Sequence, residues 1–509
     1  MIAPNTYITT TIPYVNARPH IGFALEIVQA DVLARFARLR GDRVRLQAGT
    51  DDNSLKNVLA AQAAGEDVRK FVDRNAEAFL ALGPALSLTV DDVIRTSRDA
   101  RHRAGVERFW QACAASGDLY RKRYEGLYCT GCEQFYSPAE LRAGRCPEHD
   151  SEPALVAEEN WFFRLSRYAE ALREAISGGQ LRIEPAGRRN EVLAFIDGGL
   201  EDFSASRPAE RAGGWGIAVP GDPGQVIYVW FDALCNYVTA LGYGNGGDAY
   251  QRWWSGDGRR IQLLGKGVLR FHAVYWPAML LSSGQPLPTD IFVHDYLTAG
   301  GRKISKSSGS GADPVALAGQ YGADAVRWWL LREVPRVGDA DFTVERMIAR
   351  ADGELANGLG NLVNRVIAMI HRYRDGRVPV PATTPVTTPA PVPADGDDLA
   401  AACLEARGLI GAALEEFDFR RATAAVWAIA DEANRFINRV RPWELARAER
   451  GGDGQRLDNV LAALFEACSA LGRELAPFLP DAAARITRQC TPRDGRLPQA
   501  SPVFRRLSR

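Results

Sequence analysis

The sequence predicts an α/β protein in which a parallel sheet is split by an inserted module and followed by an all-helical domain. β-rich runs alternate with helical runs over residues 1–117, as they do in parallel α/β sheets. The texture then changes to short strands, turns and clustered cysteines, and after residue 341 nearly every segment has helical spacing. A chain of 509 residues is expected to hold several domains, because domains usually contain about 100 to 200 residues.

The first half of the sheet is predicted to lie within residues 1–117. Residues 7–12 form a β-rich run, and residues 24–40 have the apolar spacing of a helix. A second strand is predicted over 43–48, followed by a helix over 56–64. Ligands of parallel α/β sheets bind at the carboxyl ends of the strands, so the loops that follow the two strands are the expected site.

An inserted module is predicted over residues 118–225, where it splits the sheet into two halves. Strand-like and helical segments then resume at 226–231, 261–264 and 291–293. The sequence therefore predicts that the same sheet continues over residues 226–295.

The chain after the sheet is predicted to be helical, with one interruption. Proline and threonine dominate residues 378–398, where a compact helix cannot form. We expect this stretch to be an exposed linker within a helical C-terminal domain.

The composition excludes several classes of protein. Lys+Arg and Asp+Glu both number 62, so the overall charge predicts no polyanionic partner, and any nucleic-acid surface must be local. The N-terminus lacks a basic segment followed by an apolar one, and no stretch approaches the roughly 18 apolar residues of a membrane span. We therefore expect no contact with a membrane, and we expect a cytoplasmic location. The eight cysteines are too sparse for a disulfide scaffold.

Two segments far apart in the chain are suited to binding phosphate. His20 and Gly22 lie where the first predicted strand leads into its helix, so the ring and the backbone amides can face an anion. Lys303 and Lys306 lie among small residues in a cationic loop. Each segment alone is equally compatible with a plainer interpretation, a histidine that caps a loop and a solvated basic turn.

Together, and in this order, the two segments resemble the HIGH and KMSKS signatures of class I aminoacyl-tRNA synthetases. Further segments resemble the methionyl branch of that class: PYVN at 13–16, GTD at 49–51, YVWFDAL at 228–234 and FHAVYWP at 271–277. The resemblance runs from about residue 6 to about residue 450. It implies a Rossmann-like parallel sheet split by a zinc-binding connective insertion, a stem-contact region with the KISKS loop over 296–350, and an α-helical anticodon-binding bundle over 351–509.

The resemblance also implies a binding site for L-methionine. Its residues around the thioether side chain are Ile12, Tyr14, Trp230, Ala233, Tyr237, His272 and Trp276. Sulfur packs well on aromatic edges, so a shaped aromatic pocket suits this substrate, although ordinary core packing would also explain such aromatic residues. Asp51 is expected to hold the substrate ammonium, and Arg207 matches a family position near that carboxylate.

The implied reaction needs no nucleophilic side chain. The amino-acid carboxylate attacks the α-phosphorus of ATP, and the protein positions the groups and stabilises developing charge. His20, Lys303 and Lys306 are the expected catalytic residues, with Gly22 and Phe23 also at the ATP site. Mg²⁺ is expected to accompany ATP, because it bridges phosphate oxygens.

Four metal ligands are predicted from their spacing within the insertion. Cys129 and Cys132 form one pair, and Cys146 and His149 form another, which together supply the tetrahedral set of a structural Zn²⁺ site. The plainer alternative is free cysteines in a loop. With four protein ligands no position remains open for chemistry, so the metal is expected to fold the module.

The resemblance implies that the helical domain binds tRNA(Met). Asn361 is predicted to begin a helix, on which Arg365 shares its face, and Trp443 follows a proline suited to the first turn of another helix. In the family, residues at these positions bind the anticodon by hydrogen bonds and stacking, which is typical of single-stranded RNA recognition. From the residues alone, a core position is the favoured interpretation of Trp443, and Asn361 is a helix cap or a solvated polar group. The chain lacks an added C-terminal tail after the bundle, so a monomer is expected.

Three segments depart from the family pattern. Phe23 replaces the second histidine of the first signature, Asp52-Asn53-Ser54 replaces Glu-His-Gly, and Asp295 replaces a glycine. These departures leave two enzymatic alternatives, a divergent tRNA synthetase and a paralogue that transfers an activated amino acid to a small amine or hydroxylamine. A non-catalytic RNA-binding relative is disfavoured, because Lys303 and Lys306 are present.

Overall fold

The structure is a computed structural model that describes residues 4–131, 133–148, 150–300, 302–304, 312–380, 396–448 and 454–507. The chain forms two compact units. The first comprises Met1–Gly83, Leu88–Tyr296 and Ile304–Asp313, and the second comprises Pro84–Ser87, Leu297–Lys303 and Pro314–Arg509.

The first unit is built on a six-stranded sheet in which every neighbouring pair of strands is parallel. In chain order its strands are β1 (Asn5–Thr10), β2 (Arg43–Thr50), β3 (Asp92–Arg95), β4 (Arg182–Glu184), β5 (Arg259–Gly265) and β6 (Asp290–His294). The spatial order is β3-β2-β1-β5-β6-β4. The direction of strand succession reverses between β1 and β5, and this switch point is where parallel α/β sheets bind their ligands.

Four of the six strands lie at the predicted segments, and two do not correspond to any. β3 and β4 are short and carry charged residues at their ends, so neither has an apolar run that predicts a strand. β4 comes from within the predicted insertion.

Contrary to the prediction, the segment 226–231 does not continue the parallel sheet. The strand Asp222–Ile227 pairs antiparallel with Ser206–Pro208 in a separate three-stranded sheet, and Val229–Leu234 is a helix. A short apolar run is equally compatible with a buried strand and a buried helix, and here burial of nearly the whole turn favours the helix.

Helices pack around the sheet of the first unit, and the buried apolar side chains of those from residue 100 onward form one core with side chains of the strands. The longer helices are Ile21–Leu39, Leu55–Ala63, Val68–Leu80, Ala100–Ala115, Ala169–Ser177, Ala186–Asp197, Val229–Leu234 and Trp276–Ser282. A four-stranded antiparallel sheet has the order Gln134–Tyr136, Leu119–Cys129, Ala154–Phe163, Phe203–Ser204.

The second unit is mainly helical, with a small three-stranded sheet of Leu297–Ala299, Arg302–Lys303 and Ala340–Asp341. Its helices are Pro314–Tyr321, Ala323–Arg332, Val344–Arg350, Asn361–Arg374, Asp397–Glu415, Phe419–Val440, Pro442–Ala448, Gly454–Glu474 and Pro480–Gln489. The predicted linker over 378–398 falls mostly outside the described residues. Within the described part of the chain, every helix is too short or too polar to cross a bilayer.

The α-helix Asn361–Arg374 begins at the predicted residue, but this start is not a free end. A π-helical segment, Ala351–Gly360, joins Val344–Arg350 to Asn361–Arg374 without a break. Asn361 therefore lies in the middle of a continuous helical rod. Two glycines before it, Gly358 and Gly360, lower local helix propensity and made a helix start there plausible from the sequence.

Candidate functional site

The first phosphate-binding signature lies at the N-terminus of the helix Ile21–Leu39. His20 is the N-cap residue, and its Nδ1 accepts a hydrogen bond of 3.1 Å from the amide of Gly22. Because Nδ1 accepts, the neutral ring carries its proton on Nε2. The predicted capping role and the predicted phosphate role are thus compatible, since one ring nitrogen caps the helix and the other is a donor.

Gly22 is constrained by this cap. A Cβ atom built on it would lie 3.0 Å from both Cε1 and Nδ1 of His20. Any side chain at this position would therefore press on the imidazole and displace it. Glycine here keeps the ring in place as well as keeping the backbone accessible.

The helix start also holds the chain segment that follows the lysine loop. The amide of Ile21 donates to the carbonyl oxygen of Ala312 at 3.1 Å. Arg18 and Asp313 lie beside this contact, at 4.0 Å between Nε and Oδ2. Lys306 and the side chain of Lys303 lie outside the described residues.

This arrangement corrects one expectation. The amides of Ile21, Gly22 and Phe23 all have protein acceptors in this conformation, since Phe23 donates to the His20 carbonyl oxygen at 2.9 Å. These amides do not point freely toward an anion. A phosphate here would instead meet the ring of His20, or would have to displace the Ala312 segment.

A cavity of about 230 Å³ lies beside the carboxyl end of β1. Six of the seven residues expected around the thioether line it: Ile12, Tyr14, Trp230, Ala233, Tyr237 and His272. The remaining wall consists of Pro13, Leu234 and Val268 and of the polar residues Thr11 and Asn236, so the lining is mainly apolar or aromatic. Such a lining suits a flexible side chain without charge.

The seventh residue, Trp276, lies one layer behind the cavity. It is fully buried, and its ring centroid is 5.9 Å from that of Tyr237 and 5.6 Å from that of Phe109. Trp230 is held differently, because its ring stacks on Phe271 at 3.9 Å with an interplanar angle of 5°. Both tryptophans thus support the shape of the cavity, but only Trp230 contributes to its surface.

Both ring nitrogens of His272 are hydrogen-bonded within the cavity wall. His272 donates from Nδ1 to the carbonyl oxygen of Val268 at 2.9 Å, and its Nε2 accepts from the Tyr237 hydroxyl at 2.7 Å. Burial lowers the pKa of His272 to about 4. The ring is therefore neutral at physiological pH, and the cavity carries no charge at this end.

Asp51 lies at the other, polar end of this region. It follows β2, its backbone pairs with that of Tyr14, and its amide donates to the carbonyl oxygen of Pro13 at 2.9 Å. The side chain is 2% exposed, and Oδ1 accepts from the amide of Asn53 at 3.2 Å. Burial raises the pKa of Asp51 well above its usual range, and the nearby carboxylates of Asp232 and Glu133 raise it further.

Arg207 is buried at 7% exposure among uncharged partners. Its Nη1 donates to Oγ of Ser204 and to the carbonyl oxygen of Ser206, both at 2.9 Å, and Cζ lies 4.3 Å from the centroid of the Tyr228 ring. An aromatic face stabilises a guanidinium without neutralising it. Its expected placement near the carboxylate of Asp51 stays a prediction.

The sequence matches the family described as tRNA synthetases class I (M) over residues 6–154 and 136–367. It is 38% identical to the methionine–tRNA ligase of Thermotoga maritima over 95% of this chain and 75% of that protein. It is also 38% identical to the methionine–tRNA ligase of Thermosynechococcus vestitus, over 96% of this chain and 90% of that protein. The structure is similar to Mycobacterium tuberculosis methionyl-tRNA synthetase in complex with methionyl-adenylate, with a TM-score of 0.92 and 35% identity over 98% of this chain and 99% of that one.

The chain belongs to the methionine–tRNA ligase family. It is a class I aminoacyl-tRNA synthetase, so the family, the enzyme class and the main function that the sequence predicted are confirmed. The small-molecule paralogue is not favoured, because the similarity to the ligases extends over nearly the whole chain.

Relative to this family, each departing residue has a defined place in the structure. Asp52 accepts from Thr50 at 2.7 Å and is paired with Arg95 at 3.1 Å. Asn53 donates to Asp232 at 2.7 Å, and Ser54 caps the helix Leu55–Ala63. The replacements therefore form a hydrogen-bonded network rather than leaving buried groups unpaired.

Two further departures are also packed or paired. The ring of Phe23 meets that of Phe79 edge-on, with 5.2 Å between centroids. Asp295 is paired with Arg188 and lies 3.5 Å from Nζ of Lys266. Both substitutions thus have a partner that comes from a distant part of the chain.

A buried ion pair beside the first signature was not predicted. Oε1 of Glu26 accepts from both the amide and the hydroxyl of Thr11, each at 2.6 Å, and Oε2 lies 3.0 Å from Nε2 of His294. The other ring nitrogen of His294 donates to the carbonyl oxygen of Asp295 at 2.8 Å. Burial lowers the pKa of His294, but the hydrogen bond to Glu26 and its charge outweigh burial, so the pKa is raised. The only available signal was a glutamate on an otherwise apolar helix face.

The insertion brings two of the four predicted metal ligands to one place. Cys129 and Cys146 are each 1% exposed and pack in one small cluster with Tyr136. Both contact Ser151, which lies 3.5 Å from the sulfur of Cys129 and accepts from the amide of Cys146 at 2.8 Å. Cys132 and His149 lie outside the described residues. Two buried thiols that share a neighbour fit a tetrahedral thiolate–imidazole site.

The predicted anticodon residues all lie in the second unit. Asn361 is exposed, and Arg365 is half-buried one turn further along the same helix. Trp443 is half-buried at the start of the helix Pro442–Ala448, where the predicted helix start is confirmed. A half-buried tryptophan presents part of its ring to solvent, as stacking on a base requires.

Proposed function

We propose that the chain binds methionine with its thioether in the 230 Å³ cavity and its ammonium at Asp51. The observation that carries this proposal is the contrast between the two ends of the site. The cavity has an apolar, uncharged lining, whereas Asp51 is a buried carboxylate whose backbone pairs with Tyr14 of the cavity wall. An amphipathic amino acid with an apolar side chain matches this arrangement.

ATP is proposed to bind at the start of the helix Ile21–Leu39, between His20 and the loop that carries Lys303 and Lys306. The hydrogen bond from Ile21 to Ala312 supports this placement, since Ala312 is only six residues after Lys306. Gly22 keeps the ring of His20 in position, and Phe23 flanks it. Mg²⁺ would accompany ATP and neutralise part of the charge on its phosphates.

In the first step an oxygen of the methionine carboxylate attacks the α-phosphorus, the bond to the bridging oxygen breaks, and pyrophosphate leaves. His20 and the two lysines stabilise the charge that spreads onto the phosphate oxygens. In the second step a hydroxyl of the terminal ribose of tRNA attacks the carbonyl carbon of the adenylate, and AMP leaves. Positioning supplies most of the rate, so no covalent intermediate on the protein is needed.

The helical unit is proposed to bind the anticodon of tRNA(Met) through Asn361, Arg365 and Trp443.

Arg207 is proposed to support the polar end of the amino-acid site, and Trp276 to support its aromatic wall. The domain limits are also proposed: the first half of the catalytic domain ends at 117, the insertion at 225, the second half at 295 and the stem-contact region at 350. A cytoplasmic monomer is proposed as the working form, and light scattering on the purified chain tests the monomer.

Structural Zn²⁺ is proposed to be held by Cys129, Cys132, Cys146 and His149, where it would fold the module around it. Metal analysis of the purified chain should give one zinc per molecule, and Cys129→Ser should lower that value and the thermal unfolding temperature. Cys403→Ser is the matched control, because that half-exposed cysteine lies in the helical unit. Less than stoichiometric zinc in the wild-type chain would contradict the proposal.

The function is tested by two assays on the same preparation. Methionine-dependent exchange of pyrophosphate into ATP reports the first step, and transfer of labelled methionine to tRNA(Met) reports the second. Asn361→Ala should reduce transfer but leave exchange unchanged, whereas Gln455→Ala, an exposed amide elsewhere in the same unit, should change neither. Exchange with another amino acid alone, or label that appears only on a small acceptor, would contradict the assignment.

A further inference from the structure

Glu133 is a buried carboxylate with two unlike ends. It lies in the inserted module, directly after the predicted metal ligand Cys132, and is 1% exposed. Its backbone φ is +55°, which is uncommon for a residue with a side chain. Oε1 accepts from the hydroxyl of Ser54 at 2.8 Å and from the amide of Lys56 at 3.0 Å. This end of the carboxylate is therefore tied to the start of the helix that follows Asp51.

The other oxygen, Oε2, has no hydrogen-bond partner among the described residues. Burying an unpaired charged oxygen is costly, by several kcal/mol when no compensating group is present. The positive φ of Glu133 adds strain to the same residue. A bound group that supplies a donor and a positive charge would offset this cost, in addition to the nearby charges of Lys56 and Arg207.

The neighbours of Glu133 belong to the polar end of the methionine site. The hydroxyl of Tyr228 donates to its carbonyl oxygen, and Ser54 lies three residues after Asp51. Burial raises the pKa of the Tyr14 hydroxyl well above its usual range, and the negative charges of Glu133 and Asp51 raise it further, in that order. Asp51 pairs with Tyr14 of the cavity wall through the backbone, and Lys56, whose amide donates to Glu133, has its Nζ 5.0 Å from the centroid of the Tyr14 ring.

Other acidic groups nearby already have partners. Asp52 is paired with Arg95, and Asp232 accepts from Asn53 and contacts the ring of His102. Asp51 and Glu133 differ, since within the described residues neither is in an ion pair. An ammonium group has three N–H donors that point in different directions, so a single carboxylate such as Asp51 cannot accept from all of them.

We propose that Oε2 of Glu133 is a second acceptor for the ammonium of the bound amino acid, so that Glu133 and Asp51 hold it together. The proposal rests on the proposed function and assigns a substrate-binding role to a residue of the inserted module. It also links the fold of the inserted module to substrate binding, since Glu133, the residue after Cys132, completes the amino-acid site.

The competing explanation is a purely structural carboxylate. A cavity of about 30 Å³ is lined by Glu133 and Arg207, and it is large enough for one water that would satisfy Oε2. In that case Glu133 would only cap the helix Leu55–Ala63. The two explanations differ in whether the loss of the charge affects ligands with an amine more than ligands without one.

Glu133→Gln separates them, because the amide oxygen can still accept from Ser54 and Lys56 while the charge is lost. The probes are methioninol, which keeps the amine, and 4-(methylthio)butan-1-ol, which is the same molecule without it. Inhibition constants against methionine in pyrophosphate exchange should rise about tenfold for methioninol, as expected for loss of a charged hydrogen bond, and stay unchanged for the alcohol without the amine. Glu125→Gln, an exposed glutamate of the same module, is the control and should change neither.

Each outcome of this experiment supports or overturns the role of Glu133. An equal loss for both probes, or no loss for either, would overturn the role of Glu133 in binding the ammonium. A wild-type chain that shows no methionine-dependent exchange would overturn the proposed function itself, whereas wild-type exchange with an unaltered Glu133→Gln overturns only the present inference. Thermal unfolding of the two variants, measured alongside, reports whether the helix cap survives.

Discussion

The two ends of the amino-acid site solve different physical problems. At the cavity end the His272 ring is neutral and hydrogen-bonded on both nitrogens, to Tyr237 and to Val268. At the acidic end, Asp51 and Glu133 are buried carboxyl groups without an ion-pair partner among the described residues. Selection of the side chain is thus preorganised, while recognition of the ammonium depends on charge that the substrate itself must neutralise.

The largest effect is expected from Asp51→Asn. The ammonium would lose its principal charged partner, so kcat/KM for methionine in pyrophosphate exchange should fall about a hundredfold or more. KM for ATP should change little. A loss of less than about fivefold would mean that the ammonium binds elsewhere.

The same variant should unfold at a higher temperature than the wild type in the absence of methionine. The folded-state pKa of Asp51 is raised, so the folded protein holds a proton that the unfolded chain releases. Stability of the empty wild-type protein therefore falls as pH rises from the unfolded pKa through the folded one. In Asp51→Asn this contribution to the pH dependence of stability should be lost. Thermal unfolding temperatures measured across pH check this. The same pH dependence in the variant and the wild type would contradict a raised pKa of Asp51.

A smaller effect is expected at the other end, from Tyr237→Phe. This change leaves Nε2 of His272 without its donor but removes no charge. Affinity should fall about five- to tenfold, and equally for methioninol and for the alcohol without the amine, because the wall contacts only the side chain. Inhibition constants measure this, and a loss confined to methioninol would show that the two ends are coupled.

The smallest effect is expected from Phe23→His, which restores a donor near the ATP site. Exchange activity should stay intact or improve. Loss of the edge-on contact with Phe79 should lower stability by about 1 kcal/mol, seen as a shift in denaturant midpoint. A large loss of activity would show that the nucleotide site is built around the ring.

Much of the fold followed from local pattern, and the misses have local causes. β1, β2, β5 and β6 and the first helix have clear apolar periodicity, so they were predictable. The charged short strands β3 and β4 lack it, and the run at 226–231 is compatible with two secondary structures. The continuous helix through Asn361 was hidden by glycines that weaken helix propensity without ending the helix.

The sequence by itself determined which chemistry the chain carries: the two phosphate-binding signatures, the paired metal ligands and the aromatic residues of the cavity. These depend on residue type and spacing over short distances, which a sequence displays directly. Only the tertiary structure decided which carboxylates have partners. Glu26 meets His294, Asp295 meets Arg188, and Glu133 meets Ser54 across long separations in the chain. Burial and the distance to a neighbour set the charge state of a group, and neither is a property of the local sequence.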